Sequence, residues 1–187
     1  MTEIAQRQLG YTESAKNFTV DKALGETLAQ AHHYTRYGDW YGNPYGSWDV
    51  MFVAFCQHYA GIPEDVIPQC ASLLQLRTEL ENAHPEYITP GGSEATPGDI
   101  VLYTNAAGEE TIGIVTAYDG ANLTVVSGAV DGAVAAVTVA EADVTNTIRV
   151  LDAYGVYAQT GASDGSEELS FDAVSYTHLT LPTKLEV

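Results

Sequence analysis

The sequence predicts an α+β fold in which N-terminal helices pack on a small antiparallel β-sheet. Residues 48–60 are almost continuously apolar, which is typical of a helix buried in the middle of a domain. Short β-branched runs then follow one another between residues 99 and 153, separated by turn residues. Because the connections between these runs are short, the strands they predict are antiparallel.

The helices are expected in the first half of the chain. A short helix is predicted over residues 2–9, with Thr2 as a possible N-cap. The apolar helix can be capped by Ser47 and ended by Gly61. An amphipathic helix is predicted over residues 69–83.

The remaining segments are predicted as a loop and five strands. Residues 34–48 combine six aromatic residues with dense glycine and proline, which favours an ordered loop rather than a helix. The strands are predicted over residues 99–104, 111–118, 123–127, 133–139 and 147–153.

Composition excludes several function classes. The 187 residues include 25 acidic and 7 basic side chains, for a formal net charge of -18. Phosphate contacts need Lys and Arg, so nucleic-acid binding is disfavoured, and docking on anionic lipid is disfavoured for the same reason. No apolar run approaches the ~20 residues of a membrane span, and the first 20 residues lack the layout of a secretion signal.

The chain divides into three parts in this interpretation. Residues 1–152 form one domain, and residues 153–173 are an acidic linker rich in Gly, Ser and Ala. Residues 174–187 begin with a string that resembles the in-frame translation of a transposase sequencing adapter, which predicts an artefact and a native chain that continues differently. The alternative is a genuine Thr/Leu-rich tail.

Four segments, in their joint order and spacing, resemble the CHAP family of bacterial cell-wall amidases and peptidases, within the papain-like NlpC/P60 group. They are Tyr-Gly-Ser-Trp-Asp-Val-Met-Phe-Val-Ala-Phe-Cys (45–56), Tyr-Ala-Gly-Ile (59–62), Pro-Gly-Asp-Ile-Val (97–101) and Ile-Gly-Ile-Val-Thr (112–116). The resemblance implies a papain-like fold. In that fold a Cys at the start of the central helix is activated by a His on the sheet, and a third polar group orients the His.

The catalytic groups of the family are replaced in this chain. The resemblance assigns the nucleophile position to Asp49, the His position to Thr111 and the third position to Ser127. A carboxylate in the first turn of a helix is also simply a favourable helix-start residue. The resemblance therefore implies a catalytically degenerate domain.

No other residues obviously restore the chemistry. Cys56 lies seven residues after Asp49, on nearly the same helix face but about 10 Å deeper. It is predicted to be a core thiol or a disulfide partner of Cys70, and both alternatives stay open. His58 falls on the opposite face of the helix from Asp49. No spaced His/Cys cluster predicts a metal, and no cofactor is expected.

The aromatic loop is the strongest remaining candidate for binding. Flat rings stack on sugar rings and peptide planes at little cost in side-chain entropy. Tyr34, Trp40 and Tyr41 are predicted to bind substrate, whereas Trp48 is expected to pack. The competing interpretation is that several rings only wedge the loop against the helix.

Three functional hypotheses follow. The first is a catalytically degenerate CHAP-like domain of a secreted or cell-surface bacterial protein, which binds peptidoglycan or another cell-wall glycopeptide or serves as a spacer. The second is an active peptidoglycan hydrolase that uses a non-standard residue set. The third is an interaction module with a protein partner. The first places the protein outside the cell, as a monomeric domain of a longer chain.

Overall fold

The computed structural model describes residues 1–14, 17–19 and 31–153. The α-helices of this part are α1 (Thr2–Gln6), α2 (Arg36–Tyr41), α3 (Asp49–Tyr59) and α4 (Leu73–Ala83). The strands are β1 (Asn17–Thr19), β2 (Ala31–His33), β3 (Ile88–Pro90), β4 (Ile100–Thr104), β5 (Glu110–Tyr118), β6 (Asn122–Val130), β7 (Ala133–Ala140) and β8 (Val144–Ile148). Helices first and an antiparallel sheet second confirm the predicted α+β class.

The main sheet has six strands in the order β3-β8-β4-β5-β6-β7, and every pair of neighbours is antiparallel. β1 and β2 form a separate antiparallel pair. Side chains alternate between the two faces of the sheet, because successive residues of a strand point in opposite directions. Ile112, Ile114 and Val126 join the cluster that contains α3, while Val115 and Val125 join a second buried cluster on the other side.

Helix α3 packs closely against β6. Val50 to Ala54 are all at most 3% exposed, as expected for a helix that is apolar nearly all round. Gly128 makes the approach possible: a Cβ at this position would lie 2.8 Å from Phe52 Cβ and 3.0 Å from the Trp48 ring. The absence of a side chain on Gly128 therefore sets how near the start of α3 comes to the sheet.

The structure corrects three of the helix predictions. The aromatic stretch contains α2, because the Thr35 hydroxyl accepts a hydrogen bond from the Gly38 amide and Gly42 ends the helix in a left-handed conformation. Helix α1 ends at Gln6 instead of residue 9, and Met1 rather than Thr2 occupies its N-cap position, with no side-chain cap. Helix α4 begins four residues later than predicted, since Ser72 caps it.

The start of α3 also differs from the prediction. Trp48 occupies the N-cap position without a side-chain cap, and the Ser47 hydroxyl bonds to Asp49 instead of capping. The predicted end is close: the helix stops at Tyr59, and Gly61 follows in a left-handed conformation.

The strand predictions for β4 to β7 are confirmed to within a few residues, and the last one is shifted. β8 ends at Ile148, whereas a strand was predicted over residues 147–153. The chain leaves the sheet there because the Arg149 amide bonds to Tyr87 O and the Val150 amide bonds to the Asp99 carboxylate. β1, β2 and β3 were not predicted. The proposed linker and tail, residues 153–187, lie outside the described residues except for residue 153.

The buried Asp99 carboxylate connects the start of β4 with the segment that follows β8. Its carboxylate is fully buried and accepts hydrogen bonds from the Thr96 amide, the Thr96 hydroxyl and the Val150 amide. Arg149 Nε lies 3.5 Å from the same carboxylate. The Pro-Gly-Asp segment thus turns the chain into β4 and fixes the end of β8.

No helix among the described residues combines the length and the apolar character needed to cross a membrane.

We expect Asp99→Ala to lower the free energy of unfolding by about 3 kcal/mol or more, because it leaves buried donors and Arg149 without their acceptor. Urea unfolding followed by circular dichroism measures the change. The matched control is Asp152→Ala, which removes an exposed carboxylate 3.3 Å from the same arginine and is expected to cost less than about 1 kcal/mol. Equal losses in both variants would contradict the role of Asp99.

We expect Gly128→Ala to destabilise the fold by about 1–3 kcal/mol, since the added methyl group overpacks the contact with Phe52. The same urea titration measures it. Ala136→Ser, at an exposed position of β7, is the control and is expected to change stability by less than about 0.5 kcal/mol. A urea midpoint that is the same in Gly128→Ala and in the unchanged protein would contradict the claim that a side chain at this position overpacks the contact between α3 and β6.

Candidate functional site

An open cleft of about 780 Å³ lies at the N-terminal end of α3. It is bounded by the start of this helix, by the β4–β5 turn with the first residues of β5, and by the β6–β7 turn. The lining residues are Ser47, Asp49, Asn105, Ala106, Ala107, Glu109, Glu110, Thr111, Gly128, Ala129, Val130 and Asp131.

Asp49 and Thr111 meet in this cleft. Thr111 Oγ1 lies 3.4 Å from Asp49 Oδ2, and the Ser47 hydroxyl lies 3.2 Å from Asp49 Oδ1. Asp49 is half-buried in the first turn of α3, and Thr111 is near the start of β5. Asp49 and Thr111 are 62 positions apart in the sequence, and the fold brings their side chains into contact. The Asp49 carboxylate thus accepts hydrogen bonds from two hydroxyl groups, those of Thr111 and Ser47.

Ser127 lies behind this pair and does not line the cleft. It is fully buried, and its Oγ is 2.9 Å from the hydroxyl oxygen of Tyr103, which is 4% exposed. The missing side chain of Gly113 leaves room for the Ser127 hydroxyl, because a Cβ at position 113 would be 2.2 Å from Ser127 Oγ. Burial raises the pKa of Tyr103, and the charge of Asp49 raises it further, while the hydrogen bond with Ser127 opposes the increase.

The β6–β7 side of the cleft carries strained backbone. Ala129 and Asp131 have φ of 61° and 49°, which non-glycine residues seldom adopt. The β6–β7 register shifts between Ser127 and Val130, as in a β-bulge. The last residues of β6 line the cleft, and the Asp131-Gly132 turn that follows agrees with its sequence signal for a tight hairpin.

The charged residues in the lining are all acidic: Asp49, Glu109, Glu110 and Asp131. At the edge of the cleft, Glu110 forms an ion pair with Arg77: its Oε1 lies 2.7 Å from Arg77 Nη2 and 2.8 Å from the Thr145 hydroxyl. Partial burial would raise the pKa of Glu110, but the hydrogen bonds from Arg77 and Thr145 outweigh it and lower the pKa. The lining of the cleft therefore carries a net negative charge.

The two thiols cannot supply a nucleophile to this cleft. Cys56 and Cys70 are unbonded and buried, which excludes the disulfide alternative in this structure and agrees with core thiols. Burial raises the pKa of each thiol to about 12, and for Cys70 the neighbouring Glu79 adds to the increase. The thiolate, which is the reactive form, is therefore suppressed in both.

Within the described ranges, no histidine lines the cleft beside Asp49 to act as a base, and no group of side chains is suited to hold a metal ion. His58 is exposed near the C-terminal end of α3, whereas Asp49 begins the helix. Among residues 1–14, 17–19 and 31–153, no three His, Cys, Asp or Glu side chains are grouped so as to hold a metal ion.

The rings predicted to bind substrate lie away from the cleft lining. Tyr34 is 36% exposed and contacts Tyr45 edge-on, with ring centroids 6.0 Å apart. Trp40 packs on the exposed side of α3, and the Tyr41 hydroxyl donates to Gln69 O at 3.2 Å. Trp48 is 3% exposed, in agreement with its expected packing role.

Two features of the site were missed from the sequence. The sequence predicts Tyr103 only as a strand residue. Its proximity to the site depends on the register of β4 and β5, which pairs Tyr103 with Thr111. The left-handed Ala129 has no sequence signal of its own, because alanine rarely adopts that conformation.

Comparison with protein-family models, curated proteins and solved structures gave no significant match to this chain.

Both thiols should resist alkylation in the folded protein, because with a pKa of about 12 only about one thiol in ten thousand is ionised near pH 8. Mass spectrometry after iodoacetamide treatment is expected to show no modified cysteine. After unfolding in guanidinium chloride without reductant, two modified cysteines are expected. Finding none after unfolding would reveal a disulfide and contradict the structure.

Proposed function

We propose that this chain is a papain-like domain of the CHAP type whose cleft binds cell-wall glycopeptide without cleaving it. The observation that carries the proposal is the contact between Asp49 and Thr111. The resemblance assigns these two residues to the nucleophile and base positions, and their side chains lie within 3.4 Å of each other beside an open cleft. A degenerate enzyme retains this kind of geometry after its reacting groups are replaced.

The composition of the cleft supports binding over catalysis. A nucleophile needs a neighbouring base, and none of the described lining residues is a His, Cys or Lys. Both oxygens of the Asp49 carboxylate already accept a hydrogen bond, one from the Ser47 hydroxyl and one from the Thr111 hydroxyl. Buried Cys56 and Cys70 do not replace the missing thiolate.

The charge of the cleft narrows the part of the wall that it would bind. Asp49, Glu109 and Asp131 repel anionic wall polymers and favour a ligand that carries amino groups, whereas the charge of Glu110 is balanced by Arg77. The peptide part of a wall glycopeptide, where it carries amino groups, is therefore the proposed ligand. On this proposal the protein works at the cell surface or after secretion.

A second candidate function is hydrolysis by a non-standard pair. The observation in its favour is the same hydrogen bond, since a Thr111 hydroxyl beside a carboxylate is the simplest combination of a nucleophile and a base. No group in the described part of the cleft activates this pair further. We therefore rank binding first.

Incubation of the full chain with purified peptidoglycan separates the two functions. We expect the protein to sediment with the wall and to release no soluble fragments. Ala106→Trp fills the cleft from an exposed lining position and is expected to weaken binding at least tenfold, equivalent to about 1.4 kcal/mol. Ala142→Trp adds the same ring at an exposed position outside the cleft and is expected to bind normally.

The other outcomes decide between the alternatives. Fragment release that disappears in Asp49→Asn would establish the hydrolase. Equal binding by Ala106→Trp and Ala142→Trp would place the wall site elsewhere, and failure of the unchanged protein to sediment would refute wall binding.

A further inference from the structure

Strand β7 forms one edge of the main sheet, and the start of this edge already pairs with an extended segment of the chain, residues 10–13. The Val134 amide donates to Tyr11 O, and Val134 O accepts from the Gly10 amide. The pairing stops at Gly10, whose left-handed backbone with a φ of 80° leads into the turn after α1. The edge of β7 thus accepts an extended backbone, but this chain covers only its first residues.

The backbone groups farther along β7 have no partner in the part of the chain that the structure describes. Successive residues of a strand alternate the side to which their N–H and C=O groups point. Val134 bonds away from β6, so the groups of Ala136 and Thr138 point away from β6 as well. Neither residue makes a backbone bond to a described residue on that side, and both are exposed. Two amides and two carbonyl oxygens consequently face solvent.

The two edges of the sheet differ in how they are protected. Natural proteins shield an edge strand by keeping it short or by placing charges or proline on it. The other edge, β3, has three residues and ends in Pro90. Strand β7 has eight residues, and its sequence Ala-Val-Ala-Ala-Val-Thr-Val-Ala contains neither a charge nor a proline. An open edge of this composition is a template for another strand.

The charges around β7 indicate which kind of strand binds there. No lysine or arginine occurs between Arg77 and Arg149. Asp131 precedes β7 and is exposed, whereas Glu141 and the exposed Asp143 follow it. Pairing of β7 with a second copy about a two-fold axis would place the acidic start of one strand beside the acidic end of the other, which is unfavourable. A strand with basic ends is attracted instead.

We infer that β7 binds an extended segment of another protein by strand addition, and that this segment alternates apolar and polar residues and carries lysine or arginine at its ends. Main-chain hydrogen bonds to Ala136 and Thr138 supply the pairing. Apolar residues of the segment extend the buried cluster against which Val137 packs. Ala136 and Thr138 do not line the cleft beside Asp49, so the inference does not depend on the function of that cleft.

An NMR titration of the isotope-labelled full chain with the synthetic peptide Lys-Lys-Val-Thr-Val-Thr-Val-Lys-Lys tests the inference. We expect a Kd of about 1 mM or below. The same peptide with glutamate in place of every lysine is expected to bind at least tenfold more weakly, because the charges around β7 are acidic. In the complex the amides of Ala136 and Thr138 should exchange their hydrogens more slowly, since they donate to the peptide.

Variants at Thr138 separate the backbone of β7 from its side chains. Thr138→Pro removes an outward N–H and leaves the bonds between β6 and β7, which come from the alternate residues, so it is expected to weaken binding at least tenfold. Thr138→Val keeps the N–H and the branched shape and should bind normally. Thr138→Lys places a positive charge at the exposed edge and should weaken binding, whereas Thr138→Glu should not. This charge pair tests the site even if the proline variant fails to fold.

Four results would overturn the inference: no binding at millimolar peptide, equal binding of the lysine and glutamate peptides, unchanged exchange of the Ala136 and Thr138 amides in the complex, or equal binding by Thr138→Lys and Thr138→Glu. Self-association in sedimentation equilibrium that Thr138→Lys abolishes would also overturn it and would identify a second copy as the occupant. Ala106→Trp fills the cleft and should bind the peptide normally. Loss of peptide binding in that variant would place the peptide in the cleft instead of on β7.

Discussion

The close approach of β6 to α3 at Gly128 is the constraint on which the rest of the site depends. Phe52 and Trp48 occupy the space that a side chain at this position would need. The start of α3 is thereby held against β5 and β6, which brings Asp49 to Thr111 and leaves the cleft open between them. Farther from the cleft, the buried Asp99 carboxylate joins the start of β4 to the end of β8.

The proposed function requires a scaffold that keeps the geometry of a hydrolase site while its reacting groups are replaced. The first turn of α3 holds Asp49, whose carboxylate accepts hydrogen bonds from two hydroxyl groups. The two thiols, Cys56 and Cys70, are in the core, where burial raises their pKa to about 12. The negative charge of the cleft lining is the property on which the proposed recognition depends.

Local signals in the sequence were enough for the central helix and for β4 to β7, because glycine and Asp-Gly turns mark the ends of those strands. The contact between Asp49 and Thr111 depends on how the start of α3 packs against β5, which no local signal in the sequence specifies. Helix α2 was missed because its glycines suggested a loop, while the Thr35 cap stabilises a short helix. The Tyr103–Ser127 pair depends on strand register and a space at Gly113, neither of which the pattern of residue types specifies.

The most direct test of the central claim is an NMR titration of the isotope-labelled protein with a soluble disaccharide-peptide from the cell wall. The claim is that the cleft beside Asp49 is a binding site without turnover. We expect the largest amide shift changes at Asp49, Thr111 and Ala129, and an intact ligand in the same sample after prolonged incubation. Cleavage of the ligand, or shift changes that leave these three residues untouched, would contradict the claim.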